Sequence, residues 1–264
     1  MMKTVYTQCK TCSYEYVVDL LVKYFREYHG LELLKTYFRP ANFYVGDCNT
    51  LFSLVGSGVV WCDTPSDITA TPSPELKVIV PSTWIRKQLE SRGVKVERVV
   101  PRGVNDELAL SHLNHDYDAR AGYIVIAKNR PYKNVDFVLN AFSRRRKQLV
   151  LVSDHPNADF GWFNFPDSVK YYLLSRARFY LAVSDAEGFG IPVVEANAVG
   201  TPAIYVKKHA YAQHACGIPV SSKEEALQVS VTREEWEDLS WKCWYHSLVY
   251  HHASITQMLY DYVK

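Results

Sequence analysis

Residues 187–200, EGFGIPVVEANAVG, decide the fold that we predict for this chain. The preceding run FYLAVS, residues 179–184, has the apolar composition of a buried strand, and TPAIYV, residues 201–206, is a second run of this kind. A turn and a short helix fit between the two strands. This order of elements is typical of a parallel α/β sheet, in which the turn lies at the carboxyl end of its strand.

The turn has the composition of an anion-binding site. Gly188 and Gly190 allow backbone torsions and close approaches that other residues resist. Pro192 suits the first turn of the helix, because its missing N–H would lack a partner there, and Gly200 ends the helix. The free amides at such a helix start predict a site for a phosphate group.

Two carboxylates, Glu187 and Glu195, flank this predicted phosphate site. Like charges repel, so both acids suit neutral hydroxyl groups better than the phosphate, as carboxylates bind ribose in dinucleotide folds. A ligand with sugar, diphosphate and sugar in series, which is a nucleotide sugar, would use both acids. Taken alone, the two acids are equally consistent with helix capping or surface ion pairs.

A second loop brings cations to the same edge of the predicted sheet. The apolar run YIVIA, residues 123–127, leads into the loop AKNRPYKN at 127–134, and a helical pattern follows. Lys128 and Lys133 in this loop would offset diphosphate charge without a metal ion. A solvated loop with ordinary surface lysines is the alternative interpretation.

The rest of the chain also alternates strands with helices, which predicts an α/β fold with two Rossmann-like domains facing across a cleft, in a compact version. We place a reduced acceptor-side domain at 1–105 and a polar linker at 106–121. A nucleotide-sugar-binding domain follows at 122–245, and a C-terminal helix at 246–264 has the option of returning to the first domain. Such a cleft suits a two-substrate reaction.

Composition narrows the classes of function. The 264 residues include 30 Lys and Arg and 28 Asp and Glu, so the net charge of +2 does not suggest a nucleic-acid binder. The basic run at 144–147 fits a solvated helix end better than a phosphate or membrane contact, although peripheral membrane contact stays open. No apolar run has the ~18–20 residues that span a bilayer, and no signal-peptide core is visible, so we predict a cytoplasmic protein.

Six cysteines are present, and Cys9 and Cys12 form a C-x-x-C pattern. A zinc site would need a second close pair, which the sequence lacks. In a cytoplasmic protein we expect reduced thiols in loops and core. A redox role stays open, as does a disulfide if the source is a hyperthermophile.

Together these motifs resemble the retaining glycosyltransferases of the GT-B fold, specifically family 4. That family carries the element E-F/G-F-G-x-P-x-x-E, and EGFGIPVVE at 187–195 matches every defining position. The family also has an Arg and a Lys five residues apart after the first strand of its second domain. Here Lys128 stands at the Arg position, where it keeps the charge but loses the bidentate fork, and Lys133 stands at the Lys position. Asn134 replaces the usual Gly, and the resemblance covers about residues 76–220.

The resemblance implies roles for individual residues in the second half. The catalytic set is Lys128, Lys133 and Glu187, in which the lysines stabilise the departing diphosphate and Glu187 holds the donor sugar or a neighbouring charge. Glu195 would bind the ribose hydroxyls. The rest of the donor-binding set is Gly188, Phe189, Gly190, Ile191 and Pro192. The resemblance implies no metal ligand and no cofactor.

The first half departs from the family. Family members have a Gly-rich loop after the first strand, whereas the loop QCKTCS at 8–13 contains no glycine, and Lys10 or backbone amides would serve the phosphate instead. A His often follows a central strand of the family's first domain; Cys62 stands at that position, and Asp63 would take a polar role on the acceptor side. The acceptor is not indicated, since a glycan, lipid, protein or small molecule would all fit.

The predicted function is therefore that of a retaining, metal-independent, hexosyltransferase-like glycosyltransferase with a nucleotide-sugar donor and an unidentified acceptor. Retention in this family is usually described as same-face attack assisted by the leaving phosphate, so neither glutamate needs to be a nucleophile. One alternative is a nucleotide-sugar or polyanion-binding module without turnover, and another is a phosphorylase-like or hydrolytic activity on the same fold. Asp116 and Asp118 form a D-x-D, but its place in the predicted linker argues against a metal role.

Overall fold

The computed structural model describes residues 3–10, 13–63, 68–161 and 165–264. The chain divides into two compact units, which are Met1–Gly103 with Val249–Lys264, and Val104–Leu248. We call them the first and the second unit. Each is built on a six-stranded sheet whose strands are all parallel, as the predicted α/β class requires.

The first unit alternates strands and helices from its start. Its strands are β1 (Lys3–Thr7), β2 (Leu33–Thr36), β3 (Phe43–Asp47), β4 (Gly58–Asp63), β5 (Leu76–Val80) and β6 (Arg98–Val99), and its helices before the second unit are α1 (Ser13–His29), α2 (Cys48–Leu54) and α3 (Thr83–Glu90). Helix α3 begins after Ser82, whose hydroxyl accepts a hydrogen bond from the Ile85 amide and so caps the helix. The sheet order is β2-β1-β3-β4-β5-β6.

The second unit repeats this architecture. Its elements are α4 (Asp106–Ser111), β7 (Ala121–Ile126), α5 (Val135–Ala141), β8 (Leu149–Ser153), β9 (Phe160–Gly161), α6 (Asp167–Arg176), β10 (Ala177–Ala182), α7 (Ile191–Ala198), β11 (Ala203–Val206), α8 (Tyr211–His214), β12 (Gly217–Val220) and α9 (Arg233–Ser247). The sheet order is β12-β11-β10-β7-β8-β9. In both units the order reverses beside the first strand, as it does in dinucleotide-binding Rossmann sheets.

Buried apolar strands explain why each sheet forms a core. Strand β11 is buried along its whole length, β3, β4 and β8 are buried at four positions each, and β10 is buried at five of its six. Parallel strands with both faces covered by helices carry such near-continuous apolar runs. Strands β10 and β11 correspond to the apolar runs 179–184 and 201–206, which the sequence indicated as strands.

The segment predicted as a linker, 106–121, differs in the structure because it belongs to the second unit and contains α4. The Asn105 side chain caps α4 by accepting a hydrogen bond of 3.2 Å from the Leu108 amide. Arg120 is 1% exposed and donates to the carbonyls of Ala177 (2.9 Å) and Val199 (2.6 Å). Polar residues in this segment thus form hydrogen bonds with buried backbone groups. A polar composition therefore did not indicate a solvent-exposed linker.

The chain ends with α10 (His252–Val263), which packs in the first unit against α1. The rings of Tyr24 and His252 stack with their centroids 4.8 Å apart, and His29 Nε2 lies 3.0 Å from the Thr256 hydroxyl. Gly103 fits beneath the His252 ring, since a Cβ there would lie 2.4 Å from a ring carbon. The last residues therefore complete the first unit.

Cys216 and Cys243 form a disulfide, with their Cα atoms 5.1 Å apart, so the expectation of reduced thiols is wrong for this pair. Helix α9 packs along α7 and beside β12, which brings the two cysteines together although 27 positions separate them. Cys48 and Cys62 are free, buried thiols, as expected. Cys12 lies outside the described residues.

No helix in the described ranges is both long and apolar enough to cross a membrane.

Candidate active site

The two loops singled out from the sequence leave adjacent strands at the point where the strand order of the second unit reverses. Strands β7 and β10 are hydrogen-bonded neighbours, and the chain continues from β7 to one side of the sheet and from β10 to the other. Loop 127–134 follows β7, and loop 183–190 follows β10. Ligands of open parallel sheets bind at this reversal, outside the carboxyl ends of the strands.

Asn134 fixes the loop that follows β7. Its backbone is left-handed, with φ of 56°, a conformation that Gly adopts freely and that Asn tolerates better than most other residues. The Asn134 amide group donates to the Val183 carbonyl (2.8 Å) and to Asp185 (2.9 Å). The Asp185 amide in turn donates to the Tyr132 carbonyl at 2.7 Å. These bonds hold the two loops against each other.

Lys133 and Glu187, one from each loop, form an ion pair. Their side chains are 15% and 14% exposed, so the pair is shielded from solvent but not sealed from it. The structure therefore brings two of the three predicted catalytic residues together. Lys128, the third, is half-buried at the start of the first loop. The Lys133 ammonium is held in place by Glu187. Such a fixed cation suits the charge of a diphosphate better than a mobile surface lysine would.

The turn between Glu187 and α7 presents backbone rather than side chains. Gly190 has a φ of 90° and precedes α7, where Ile191 and Pro192 form the first turn. Phe189 is 2% exposed, and its ring packs on His214 with the centroids 4.3 Å apart. Gly188 is also buried. The Phe189 side chain thus anchors the turn, and the start of α7 lies where the sequence predicts the phosphate site.

Glu195 lies in the second turn of α7 and is 1% exposed. Its Oε1 accepts from the Lys170 ammonium at 2.8 Å, and the Tyr171 hydroxyl lies 3.4 Å from the same oxygen. Lys170 also pairs with Asp167 at 2.9 Å. Burial disfavours the charged ammonium, but the two carboxylates outweigh this effect and raise the Lys170 pKa.

Sequence reasoning missed Lys170. It lies in the first turn of α6, 25 positions before Glu195, and no motif links the two residues. A lysine near the start of a helix is ordinary in a sequence, so no signal was available to find it. The structure shows that each glutamate of the motif is paired with a lysine from another element.

The two candidate acceptor-side residues lie in the first unit. Asp63 ends β4, accepts a hydrogen bond of 2.9 Å from the Tyr14 hydroxyl, and lies 3.5 Å from Arg102 Nε. Arg102 is fully buried, with its guanidinium 4.1 Å from the Trp61 ring centroid. Lys10 lies over the Tyr37 ring, with its ammonium 5.1 Å from the centroid. Lys10 lies after β1, whereas Asp63 is the last residue of β4.

Gln8 follows β1, at the point where the order of the strands in the first sheet reverses. Its carbonyl oxygen accepts from the Asp47 amide at 2.6 Å, and its amide group donates to Thr50 at 3.3 Å. A Cβ at Gly46 would lie 2.5 Å from the Gln8 side chain. The Gln8 side chain therefore packs closely against Gly46 and the start of α2, just after β1, where the resemblance implies a glycine-rich loop.

The described residues contain no group of three or more His, Cys, Asp or Glu side chains placed to hold a metal ion. The D-x-D residues form local structure instead. The Asp118 amide donates to the Asp116 carboxylate at 2.9 Å, and Asp118 pairs with Arg233 at 2.9 Å on the surface. Asn114 Oδ1 also accepts from the Asp116 amide at 2.9 Å.

Solved structures with the same architecture define the class of fold. HepE of Anabaena, crystallised with UDP and glucose, superposes with a TM-score of 0.70 over 99% of both chains at 11% identity. WaaG, a glycosyltransferase involved in lipopolysaccharide biosynthesis, gives a TM-score of 0.70 over 100% of both chains at 13% identity. The chain therefore has the GT-B fold of two Rossmann-like domains.

Sequence relatives define the family. "Putative glycosyltransferase 63" of Sulfolobus islandicus filamentous virus (isolate Iceland/Hveragerdi) is 54% identical over 264 residues, which cover 100% of this chain and 99% of that protein. "Putative glycosyltransferase ORF313" of Acidianus filamentous virus 1 (isolate United States/Yellowstone) is 27% identical over 86% of this chain and 79% of its own length. The chain belongs to this family of viral glycosyltransferases. No protein-family model matches it.

Proposed function

We propose that this protein transfers a sugar from a nucleotide-sugar donor to a hydroxylated acceptor, with retention of configuration and without a metal ion. The observation that carries the proposal is the Lys133–Glu187 pair, placed at the strand reversal of the second unit beside the start of α7. A cation and a set of free helix amides at one sheet edge form a site for a diphosphate. Family membership supplies the reaction class.

The donor would lie across the carboxyl edge of the second sheet. Amides of the turn at 188–191 and the ammonium groups of Lys128 and Lys133 bind the diphosphate, because each offers positive charge or N–H donors to its oxygens. Glu187 contacts the donor sugar. Glu195 accepts hydrogen bonds from the ribose hydroxyls with the carboxylate that also pairs with Lys170. The family resemblance of EGFGIPVVE supports these last two roles.

The transfer step is a substitution at the anomeric carbon. The bond from this carbon to the diphosphate oxygen breaks, and a bond to the acceptor hydroxyl oxygen forms on the same face. The acceptor proton passes to the departing diphosphate, so no side chain has to act as the base. Lys133 would contribute most as the bond breaks, since negative charge on the leaving oxygen grows in the transition state.

A uridine nucleotide is the first donor to test. HepE, which shares the fold, has been crystallised with UDP and with UDP-glucose. Its identity to this chain is 12–13%, so we treat the base and the sugar as questions for a panel of donors. The acceptor-side role of Asp63 belongs to the same proposal, in which its carboxylate accepts a hydrogen bond from an acceptor hydroxyl.

The experiment is a donor panel with two readouts. Uridine, guanosine, adenosine and thymidine diphosphate sugars are incubated with the protein, with and without EDTA, and with a mixture of simple glycoside acceptors. Release of the nucleoside diphosphate measures turnover, and NMR of the product gives the anomeric configuration. We expect release with one class of donor, unchanged by EDTA, and a product with the configuration of the donor.

Each other result removes a different part of the proposal. Loss of release in EDTA would contradict metal independence, and a product of inverted configuration would contradict retention. Donor binding without any release, over the full panel, would favour a binding module. Sugar release to water or phosphate at the same rate as to acceptors would favour the hydrolytic or phosphorylase-like alternative.

A further inference from the structure

Tyr211 lies at the centre of the contacts around Glu187, although it belongs to none of the sequence motifs. It begins α8, the short helix after β11, and is 2% exposed. Its hydroxyl lies 3.0 Å from Oε1 of Glu187 and 3.2 Å from the Ser184 hydroxyl. The Ser184 hydroxyl lies 3.4 Å from the same oxygen of Glu187. Two hydroxyl groups and the Lys133 ammonium therefore converge on one carboxylate oxygen.

The ring of Tyr211 also fits against the motif turn. A Cβ at Gly190 would lie 2.7 Å from Cε1 of Tyr211, and this distance is shorter than the contacts that Cβ atoms make in proteins. Gly190 thus has two reasons to be a glycine, a φ of 90° and the face of this ring. The turn and Tyr211 are complementary in shape, so the hydroxyl reaches Glu187 from a fixed position.

The Tyr211 hydroxyl is a dependable proton donor. Burial raises its pKa well above the usual value, and the negative charge of Glu187 raises it further. The hydroxyl group therefore stays protonated at neutral pH. His209, two residues earlier, adds support from the same loop, since its Nε2 lies 3.1 Å from the Ser184 carbonyl.

We propose that Tyr211 is a positioning residue of the transfer reaction, whose hydroxyl fixes the Glu187 carboxylate and through it the Lys133 ammonium. This inference rests on the proposed function of the site. Without the hydroxyl, Glu187 keeps Lys133 as a partner but gains freedom to rotate. The ammonium then spends less time where charge develops on the leaving diphosphate. Donor binding in the ground state also uses the turn amides and Lys128, which the substitution does not touch, so it should change little.

The test is Tyr211→Phe, which removes one oxygen and leaves the ring against Gly190. Tyr205→Phe is the matched control, because Tyr205 is also a buried tyrosine of the second unit, and burial rather than the charge of Glu187 raises its pKa. We expect Tyr211→Phe to lower kcat about 10-fold with donor KM within about twofold of the wild type, and Tyr205→Phe to change neither by more than about twofold. Equal effects in the two variants would overturn the inference. So would a raised KM at unchanged kcat.

A second measurement keeps this inference separate from the proposed function. A double-mutant cycle on thermal unfolding compares Tyr211→Phe, Glu187→Ala and the double variant, and it needs no substrate. If the hydroxyl holds the carboxylate, the double variant melts within about 1 °C of the less stable single variant, whereas additive losses would overturn the contact. If the wild type turns over no donor but the variants show this coupling, the proposed function is contradicted, whereas the contact between Tyr211 and Glu187 is confirmed.

Discussion

Lys170 and Glu195 form an ion pair inside the second unit, with the ammonium nitrogen 2.8 Å from Oε1 of the carboxylate. The carboxylate is 1% exposed and the lysine side chain 13%. Asp167 and Tyr171, which flank Lys170 in the first turns of α6, complete the set of polar groups. The second glutamate of the motif is therefore part of a buried polar cluster as well as a candidate ligand for ribose.

Lys170→Met should destabilise the protein, because it leaves the Glu195 charge buried with only hydroxyl and remaining polar partners. Removing one member of a buried pair costs about 3 kcal/mol in the free energy of unfolding. Lys147→Met, at an exposed lysine of the same unit, should cost no more than about 0.5 kcal/mol. Denaturant unfolding of both variants beside the wild type measures this difference. Equal stabilities of the two variants would show that the pair contributes nothing.

The pH dependence of the same variant gives an independent check. The folded-state pKa of Lys170 is raised, so its contribution is fully present below the unfolded lysine pKa of about 10.4 and is lost as the pH rises through the higher folded value. The stability difference between the wild type and Lys170→Met should thus be constant from about pH 7 to 9. A difference that disappears within this window would contradict the assigned ion pair.

Lys133→Ala should abolish transfer and leave the fold intact. The ammonium faces the carboxylate of Glu187 at the proposed diphosphate site, and removing one such stabilising group costs about 10²–10³-fold in kcat. Nucleoside diphosphate release measures the loss, and circular dichroism checks the fold. Lys147→Ala serves as the control with the same change of charge. Wild-type rates in Lys133→Ala would remove the phosphate role of this residue.

His115 should make the protein less stable in mild acid. Burial, and then the nearby charge of Arg120, lowers the His115 pKa to about 4. Its ring stacks on Trp241 at 3.6 Å, and its Nδ1 lies 2.7 Å from the Ser240 hydroxyl. Because the folded pKa is depressed, the stabilisation is present above the unfolded value of about 6.5 and is lost as the pH falls toward the folded value.

The corresponding measurement is the melting temperature at pH values from about 4 to 7 for the wild type and His115→Gln. Part of the acid-induced decrease should be absent in the variant, since glutamine has no proton to bind in this range. His155→Gln is a suitable control, because His155 pairs with the exposed Asp136 rather than with a cation. Parallel curves for the wild type and His115→Gln would contradict the assignment.

The Cys216–Cys243 disulfide should stabilise the second unit. It closes a loop with a sequence separation of 27, for which chain entropy gives about 3 kcal/mol. The double variant Cys216→Ser and Cys243→Ser should unfold at a correspondingly lower denaturant concentration under non-reducing conditions. The double substitution is preferable to a reductant, which would act on every accessible cystine. Unchanged stability would show that the bond is not formed in the protein as expressed.

Much of the fold followed from the sequence because its signals are local. The apolar runs at 123–127, 179–184 and 201–206 all became strands of one parallel sheet, and EGFGIPVVE became its turn and helix. The two lysines five positions apart were placed at the correct sheet edge, since the carboxyl ends of parallel strands share an edge. Local composition fixed these elements, and the regularity of parallel sheets fixed their direction.

The disulfide, the course of 106–121 and the packing of α10 against α1 could not be predicted from such local signals. Each depends on packing between segments far apart in sequence, such as α9 over α7 or α10 over α1. Arg120 illustrates the limit, because an arginine in a polar stretch looks solvated until the carbonyls of Ala177 and Val199 are seen around it. Burial of a polar side chain depends on partners that a local pattern does not contain.

The sequence by itself determined the alternating α/β elements, the glycine-rich turn before a helix and the presence of two glutamates and two lysines around it. Only the tertiary structure decided the pairing of these charges, with Lys133 on Glu187 and Lys170 on Glu195, and the position of Tyr211 between Gly190 and Glu187. The physical reason is the distance along the chain over which each effect acts. Backbone torsions and apolar periodicity depend on a few neighbouring residues. Ion pairs and close ring contacts instead form between loops that the order of the strands in the sheet brings together.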